Sequence, residues 1–159
     1  MSRYHGLFNP LAYVFIAGIL ASCGVKEYIL PSTSHIDLQI TASSELNPNK
    51  EGRPSPLVVR MYELNTQDEF NNGDFFTIFD NETKVLGKSM LAKDEMEFKP
   101  GEKRHIERAT NPQTHFLGII AAYRDIDNAR WRAVAVIPEK SHSKFNLNLG
   151  PLGITLTPR

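Results

Sequence analysis

Few residues in this chain have the type and spacing needed for chemistry. Its five histidines are His5, His35, His105, His115 and His142, and its one cysteine is Cys23. No two histidines show the HExxH or HxH spacing that brings two imidazoles to one metal ion. Asp125-x-Asp127 opens like a calcium loop, but Arg130 and Val136 stand where that loop needs glycine and glutamate. A hairpin turn explains the segment better. Ser141-His142-Ser143 has no flanking glycines of the kind that form a nucleophile elbow, and no glycine-rich phosphate loop occurs. Arg124, Arg130, Trp131 and Arg132 are residue types that stack on nucleic-acid bases. Asp125 and Asp127 share their turn, however, and 18 Lys+Arg balance 18 Asp+Glu, so the basic excess of a nucleic-acid binder is missing. Trp131 is expected in the core, with the arginines paired to nearby acids. One cysteine makes neither an internal disulfide nor a cysteine-rich zinc site. The sequence therefore predicts no enzyme, no cofactor and no metal.

The surroundings of Cys23 suggest modification of its thiol. Arg3 is the only formal charge before Lys26, and an apolar run extends from Leu11 to Ala21. As a helix that run would span about 16 Å, short of the ~30 Å hydrocarbon core of a bilayer. A basic start, a short apolar centre and small residues after it fit a secretory signal peptide. Leu20-Ala21-Ser22-Cys23 is similar to a bacterial lipobox. That similarity implies removal of residues 1–22, diacylation of the Cys23 thiol and acylation of the new amine. A single myristoyl chain holds a protein to a membrane only marginally, whereas three chains make release negligible. Gly24, rather than aspartate, follows the cysteine and favours the outer membrane. Residues 23–34 then form a lipidated tether, with a reach of at most about 40 Å from Gly24 to Ser34.

Residues 35–159 read as one domain, large enough to bury a core without staples. His35–Thr41 alternates polar and apolar with a period of two, the mark of a strand with one buried face. Leu57–Leu64, Glu95–Lys99, Trp131–Ile137, Phe145–Leu149 and Ile154–Leu156 are further strands. His115–Tyr123 is apolar almost throughout, which predicts a central strand buried on both faces. Ser89–Ala92 and His105–Arg108 carry weaker signals, and Pro100-Gly101 is a turn. Together these give an all-β, antiparallel β-sandwich of about eight strands. A small helical insertion interrupts it. Thr66-Gln67-Asp68-Glu69 reads as a capping box. Asp74 can cap a second helix whose Phe75, Ile78 and Phe79 share one face. This excursion is expected to plug one end of the sandwich.

The unusual stretch is the connection Ser43–Pro56, about fourteen residues with little apolar content. Loops of that length without structure of their own are usually functional or disordered. Pro48, Pro54 and Pro56 restrict its backbone, which lowers the entropy cost of binding. Glu45, Lys50, Glu51 and Arg53 offer both charge signs within a short span.

The motifs LASC, ASSELNPNKEGRPSPLVVRMYEL, DFFTIF, KPGE and GIIAAYRDIDNARWRAV run through most of the chain after the signal. In that order they resemble the outer-membrane lipoprotein of type VI secretion systems, the TssJ (SciN) family. The resemblance implies a transthyretin-like sandwich with an added helical element, lipid-anchored through Cys23 to the periplasmic face of the outer membrane. It also implies that the loop between the first two strands, here Ser43–Pro56, binds the periplasmic C-terminal domain of the inner-membrane TssM protein. Glu45, Asn47, Asn49, Lys50, Glu51 and Arg53 are the expected contacts. The alternative is a ligand-binding periplasmic β-sandwich lipoprotein, which predicts clustered exposed aromatic residues.

Overall fold

The computed structural model describes residues 33–159. The signal segment, Cys23 and most of the tether lie outside the described residues. Eight strands follow the alternating segments: β1 (His35–Ala42), β2 (Leu57–Leu64), β3 (Met90–Phe98), β4 (Lys103–Ala109), β5 (Phe116–Ala121), β6 (Arg132–Val136), β7 (His142–Leu149) and β8 (Ile154–Pro158). Between β2 and β3 lie two helices, α1 (Asp68–Asn72) and α2 (Phe75–Leu86). The strands form two four-stranded sheets, ordered β4-β1-β7-β8 and β3-β2-β5-β6.

The expected sandwich is present, with one departure from antiparallel pairing. β1 runs parallel to β7, from His35 opposite His142 to Ala42 opposite Leu149. Its other neighbour, β4, is antiparallel. Ile36, Leu38 and Ile40 of β1 and Phe145, Leu147 and Leu149 of β7 face inward. They meet Leu57, Val59 and Met61 of β2 and Leu117 and Ile119 of β5, all buried. This is period-two patterning used on the inner faces of two sheets.

The outer faces differ. The β4-β1-β7-β8 sheet turns polar residues such as Gln39, Lys144 and Asn148 outward, opposite the buried positions of the same strands. The other sheet is covered. Tyr62 and Leu64 of β2 and Ile120 of β5 point away from the main core and are buried with Phe70, Ile78 and Leu86 in a second core. The helices thus lie flat on the outside of this sheet and do not plug an end. The reason is the second apolar face of β2 and β5, which needs a cover. Gly118 makes the cover fit. A Cβ there would stand 2.8 Å from Cζ of Phe70, so the missing side chain admits the ring.

Helix starts and arginine partners also differ from expectation. The residue flanking α1 is Gln67, with no side-chain cap, and Thr66 Oγ1 instead donates to Glu69 Oε2 at 3.0 Å. Asp74 does cap α2, accepting from the Thr77 amide at 2.9 Å. Trp131 is half-buried between the two cores. Arg132 does not pair with an acid. Its guanidinium donates to the carbonyls of Phe70 and Gly73 at 2.7 and 2.9 Å, satisfying the end of α1. Arg60 lies over the Phe79 ring at 3.7 Å and bonds Glu95 and Glu82, tying α2 to the sheet.

At the end where β1 begins, Glu63 is buried and saturated. It pairs with Arg108 and accepts from the Asn111 amide at 2.7 Å and Thr114 Oγ1 at 2.9 Å. These bonds hold the β4–β5 connection closed.

Candidate functional site

The strand directions sort the connections to two ends. Residues 43–56, 99–102, 122–131 and 150–153 gather at one end, here the tip. The chain enters β1 at the other end, where β8 also finishes beside the start of β7.

The long connection at the tip is folded. Leu46 is fully buried and closes the top of the core. The Ser55 amide donates to the Leu46 carbonyl, and the Asn49 amide to the Arg53 carbonyl, both at 2.9 Å. The segment therefore projects as a narrow, cross-bonded finger. Asn49 organises its end. Its Oδ1 accepts from the amides of Glu51 at 3.1 Å and Arg53 at 2.9 Å. Gly52 completes the turn at φ +76°, a conformation that suits glycine.

The six expected contact residues divide by burial. Glu45, Lys50, Glu51 and Arg53 are exposed, and Asn49 is half-buried. Arg53 and Glu51 lie 3.8 Å apart, both largely in solvent, so their attraction contributes little to stability. Asn47 is different. It is buried, in the left-handed region at φ +47°. Its Nδ2 donates to the Pro56 carbonyl at 2.7 Å, and its Oδ1 accepts from the Arg124 amide at 2.8 Å. The Asn47 amide also donates to the Pro151 carbonyl at 3.2 Å. Asn47 therefore holds three tip loops in register, and its side chain is spent on that task.

Sequence reasoning missed what stands beside the finger. Pro48, Asn49, Lys50 and Glu51 share an open concavity of about 760 Å³ with Arg124, Asp125 and Leu152. The β5–β6 and β7–β8 loops contribute this opposite wall. Its frame is rigid. Tyr123 Oη donates to the Gly150 carbonyl at 3.0 Å, and burial holds that phenol far above its ordinary pKa. Asn128 Nδ2 donates to both Asp125 oxygens at 2.9 and 3.1 Å, so Asp125 belongs to a closed turn. The turn residues at 125–128 and Gly150-Pro151 were legible. Their convergence on the finger was not.

The tip presents charged side chains of both signs around an open hollow. Among the described residues no three His, Cys, Asp or Glu side chains converge as metal ligands. Among the described residues the exposed large apolar side chains are Phe76 on α2, Val136 on β6 and Leu152 at the tip; Phe76 meets Phe75 edge-on at 5.4 Å, and Phe75 in turn packs on Phe79 and Trp131. No helix among the described residues is long and apolar enough to cross a membrane.

Comparison with known proteins agrees with this architecture. A family model described as "Type VI secretion lipoprotein, VasD, EvfM, TssJ, VC_A0113" matches residues 34–152. No curated protein sequence gives a significant match. The crystal structure of the type VI secretion lipoprotein TssJ1 from Pseudomonas aeruginosa superposes with a TM-score of 0.78 at 37% identity, covering 80% of this chain and 97% of that one. Serratia marcescens Lip, described as a membrane-bound component of the type VI secretion system, gives 0.73 at 23% identity, over 80% and 98%. A chain of a structure described as a type VI membrane complex gives 0.69 at 22% identity, over 78% and 98%. With its sandwich, its helical cover and most of its length matched in this way, the chain belongs to the TssJ (SciN) family of type VI secretion lipoproteins.

Proposed function

We propose that this chain is a non-enzymatic outer-membrane lipoprotein. It anchors the envelope-spanning complex of a type VI secretion system by binding the periplasmic C-terminal domain of TssM. The observation that carries this reading is the position of the finger. β1 receives the tether at His35 and delivers the chain to the finger after Ala42, so attachment and docking lie at opposite ends of the sandwich. Eight strand residues span about 26 Å. A fully extended tether adds at most about 40 Å, a reach that lets the finger stand away from the membrane. Family membership and the match to a chain of a type VI membrane complex support the same reading.

The work asked of the chain is attachment rather than catalysis. Acylated Cys23 supplies the membrane end, and Asn49, Lys50, Glu51 and Arg53, with Glu45 at the base, supply the partner end. The prolines flanking the tip reduce the disorder lost on binding.

Two substitutions test the two ends separately. Cys23→Ser should abolish palmitate incorporation and move the protein out of the membrane fraction. Replacing Pro48–Arg53 with Gly/Ser, while keeping Asn47, should preserve the fold and abolish binding to the TssM periplasmic domain. Retained label in the first case would remove the anchor. Unchanged affinity in the second would place the interface elsewhere.

A further inference from the structure

The parallel pairing of β1 and β7 sets two histidines side by side. His35 opens β1, His142 opens β7, and the two are direct partners in the ladder. Their ring centres lie 6.0 Å apart, with the planes at 57°, on the outer face of the β4-β1-β7-β8 sheet. No local motif announces the pair, because more than a hundred positions separate its members. His35 is half-buried and His142 exposed, so both rings reach solvent.

The backbone beneath the rings is fixed. The His35 amide donates to the Ser141 carbonyl at 2.7 Å, directly beside His142. Ser34, itself buried, donates through Oγ to the Pro138 carbonyl at 2.8 Å, and its own carbonyl accepts from the Thr110 amide at 2.8 Å. Only side-chain rotation therefore separates the pair from a chelating arrangement. An ion held about 2.0–2.1 Å from one nitrogen of each ring places the ring centres roughly 5–6 Å apart, so the rotation needed is small. Neighbouring charges are of both signs. The Glu107 carboxylate stands 3.5 Å from His142 Nε2, while Lys144 is the next outward residue of β7. Asp37, next outward on β1, is engaged by His105 and Arg159. What selects a ligand here is thus the pair of imidazole nitrogens and not net charge. Imidazoles suit zinc, nickel and copper, whereas magnesium and calcium require oxygen ligands.

We propose that His35 and His142 bind one late first-row divalent ion as a two-ligand clasp across the first rung of the β1–β7 ladder. Water fills the other positions, since among the described residues no third His, Cys, Asp or Glu converges there. Glu107 lends the cation electrostatic support from the side. The ion closes the ladder where the tether enters, at a strand end that otherwise frays. The clasp is independent of what the tip binds.

The test is a zinc titration of the mature chain, residues 23–159, stripped with a chelator and carrying Cys23→Ser so that no thiol competes. One equivalent of zinc should shift the imidazole NMR signals of His35 and His142 together and leave those of His105 and His115 in place. It should also slow hydrogen exchange at the His35 amide. Magnesium at the same concentration should do neither. In calorimetry, His35→Gln and His142→Gln should each weaken zinc binding by at least about tenfold, the scale on which metal sites lose affinity when their support is disturbed. His115→Gln, at an exposed histidine on the other sheet, should bind like the unaltered chain. Without zinc, circular dichroism melts of all three variants should match the unaltered chain, and the NMR shifts of the unaltered chain decide the matter if one does not. No saturable binding, a shift confined to one ring, or equal shifts at all four histidines would overturn the clasp. So would unchanged affinity in either His35→Gln or His142→Gln.

Discussion

Asn47 shows how much depends on one side chain at the tip. It is an amide in the left-handed region, where asparagine is tolerated and most residues are strained. Both ends of its amide are used, one by the Pro56 carbonyl and one by the Arg124 amide. Asn47→Ala would leave those two partners without their bonds and keep the unfavourable φ. We expect a loss of about 1–3 kcal/mol in denaturant unfolding. Faster hydrogen exchange at the Ser55 and Arg124 amides should accompany it. Lys50→Ala, a few residues away in solvent, should stay within about 0.5 kcal/mol. Composition pointed to Ser43–Pro56 as the unusual segment. It gave no means of separating the asparagine that builds the finger from the charges that decorate it, because both are polar residues in a proline-rich stretch.

At the scale of elements, the helical cover depends on a gap in β5. Gly118 faces outward beneath Phe70, and Gly118→Ala would push a methyl within 2.8 Å of the ring. Overpacking of this kind costs about 1–3 kcal/mol. The loss should appear as a lowered melting temperature, with increased exchange confined to 68–86 if the helices loosen first. Phe70→Ala should cost more, about 3–5 kcal/mol, because it empties the second core. The strands themselves were largely legible. β2 has the predicted limits, and β5 proved buried on both faces as its unbroken apolar run implied. The place of the helices was not legible. The spacing of Phe75, Ile78 and Phe79 shows that α2 has an apolar face, but not which surface covers it. The missing clue was in β2, where Tyr62 and Leu64 add an outward apolar pair to the inward one. The β1–β7 pairing joins residues more than a hundred positions apart, and no local pattern encodes such a partner.

For the whole molecule, the carboxylates set the acid limit of stability. A hydrogen bond from His105 holds the Asp37 carboxyl below its ordinary value, with Arg159 adding to it against the opposing effect of burial. Burial would raise Glu82, but Lys93, Tyr62 and Arg60 outweigh it and lower its pKa. Asp74 is lowered by its bonds from Thr77, and Glu102 by its bond from the Lys99 amide. Each of these groups binds its proton less readily when folded. Their contribution is thus complete above the ordinary carboxylate values of 3.8 and 4.5 and declines as pH falls through the lower folded values. Unfolding free energy should fall as the pH drops below about 4.5. Glu82→Gln should flatten part of that fall. The extended course of β1 has a different consequence. If lipid pulls at one end of β1 and a partner at the other, the tension runs along this strand's own axis. Because β1 is already extended and held between β4 and β7, such a load is borne by its covalent backbone, and neither ladder has to shear or unzip. The strand that positions the finger is also built like a tie-rod.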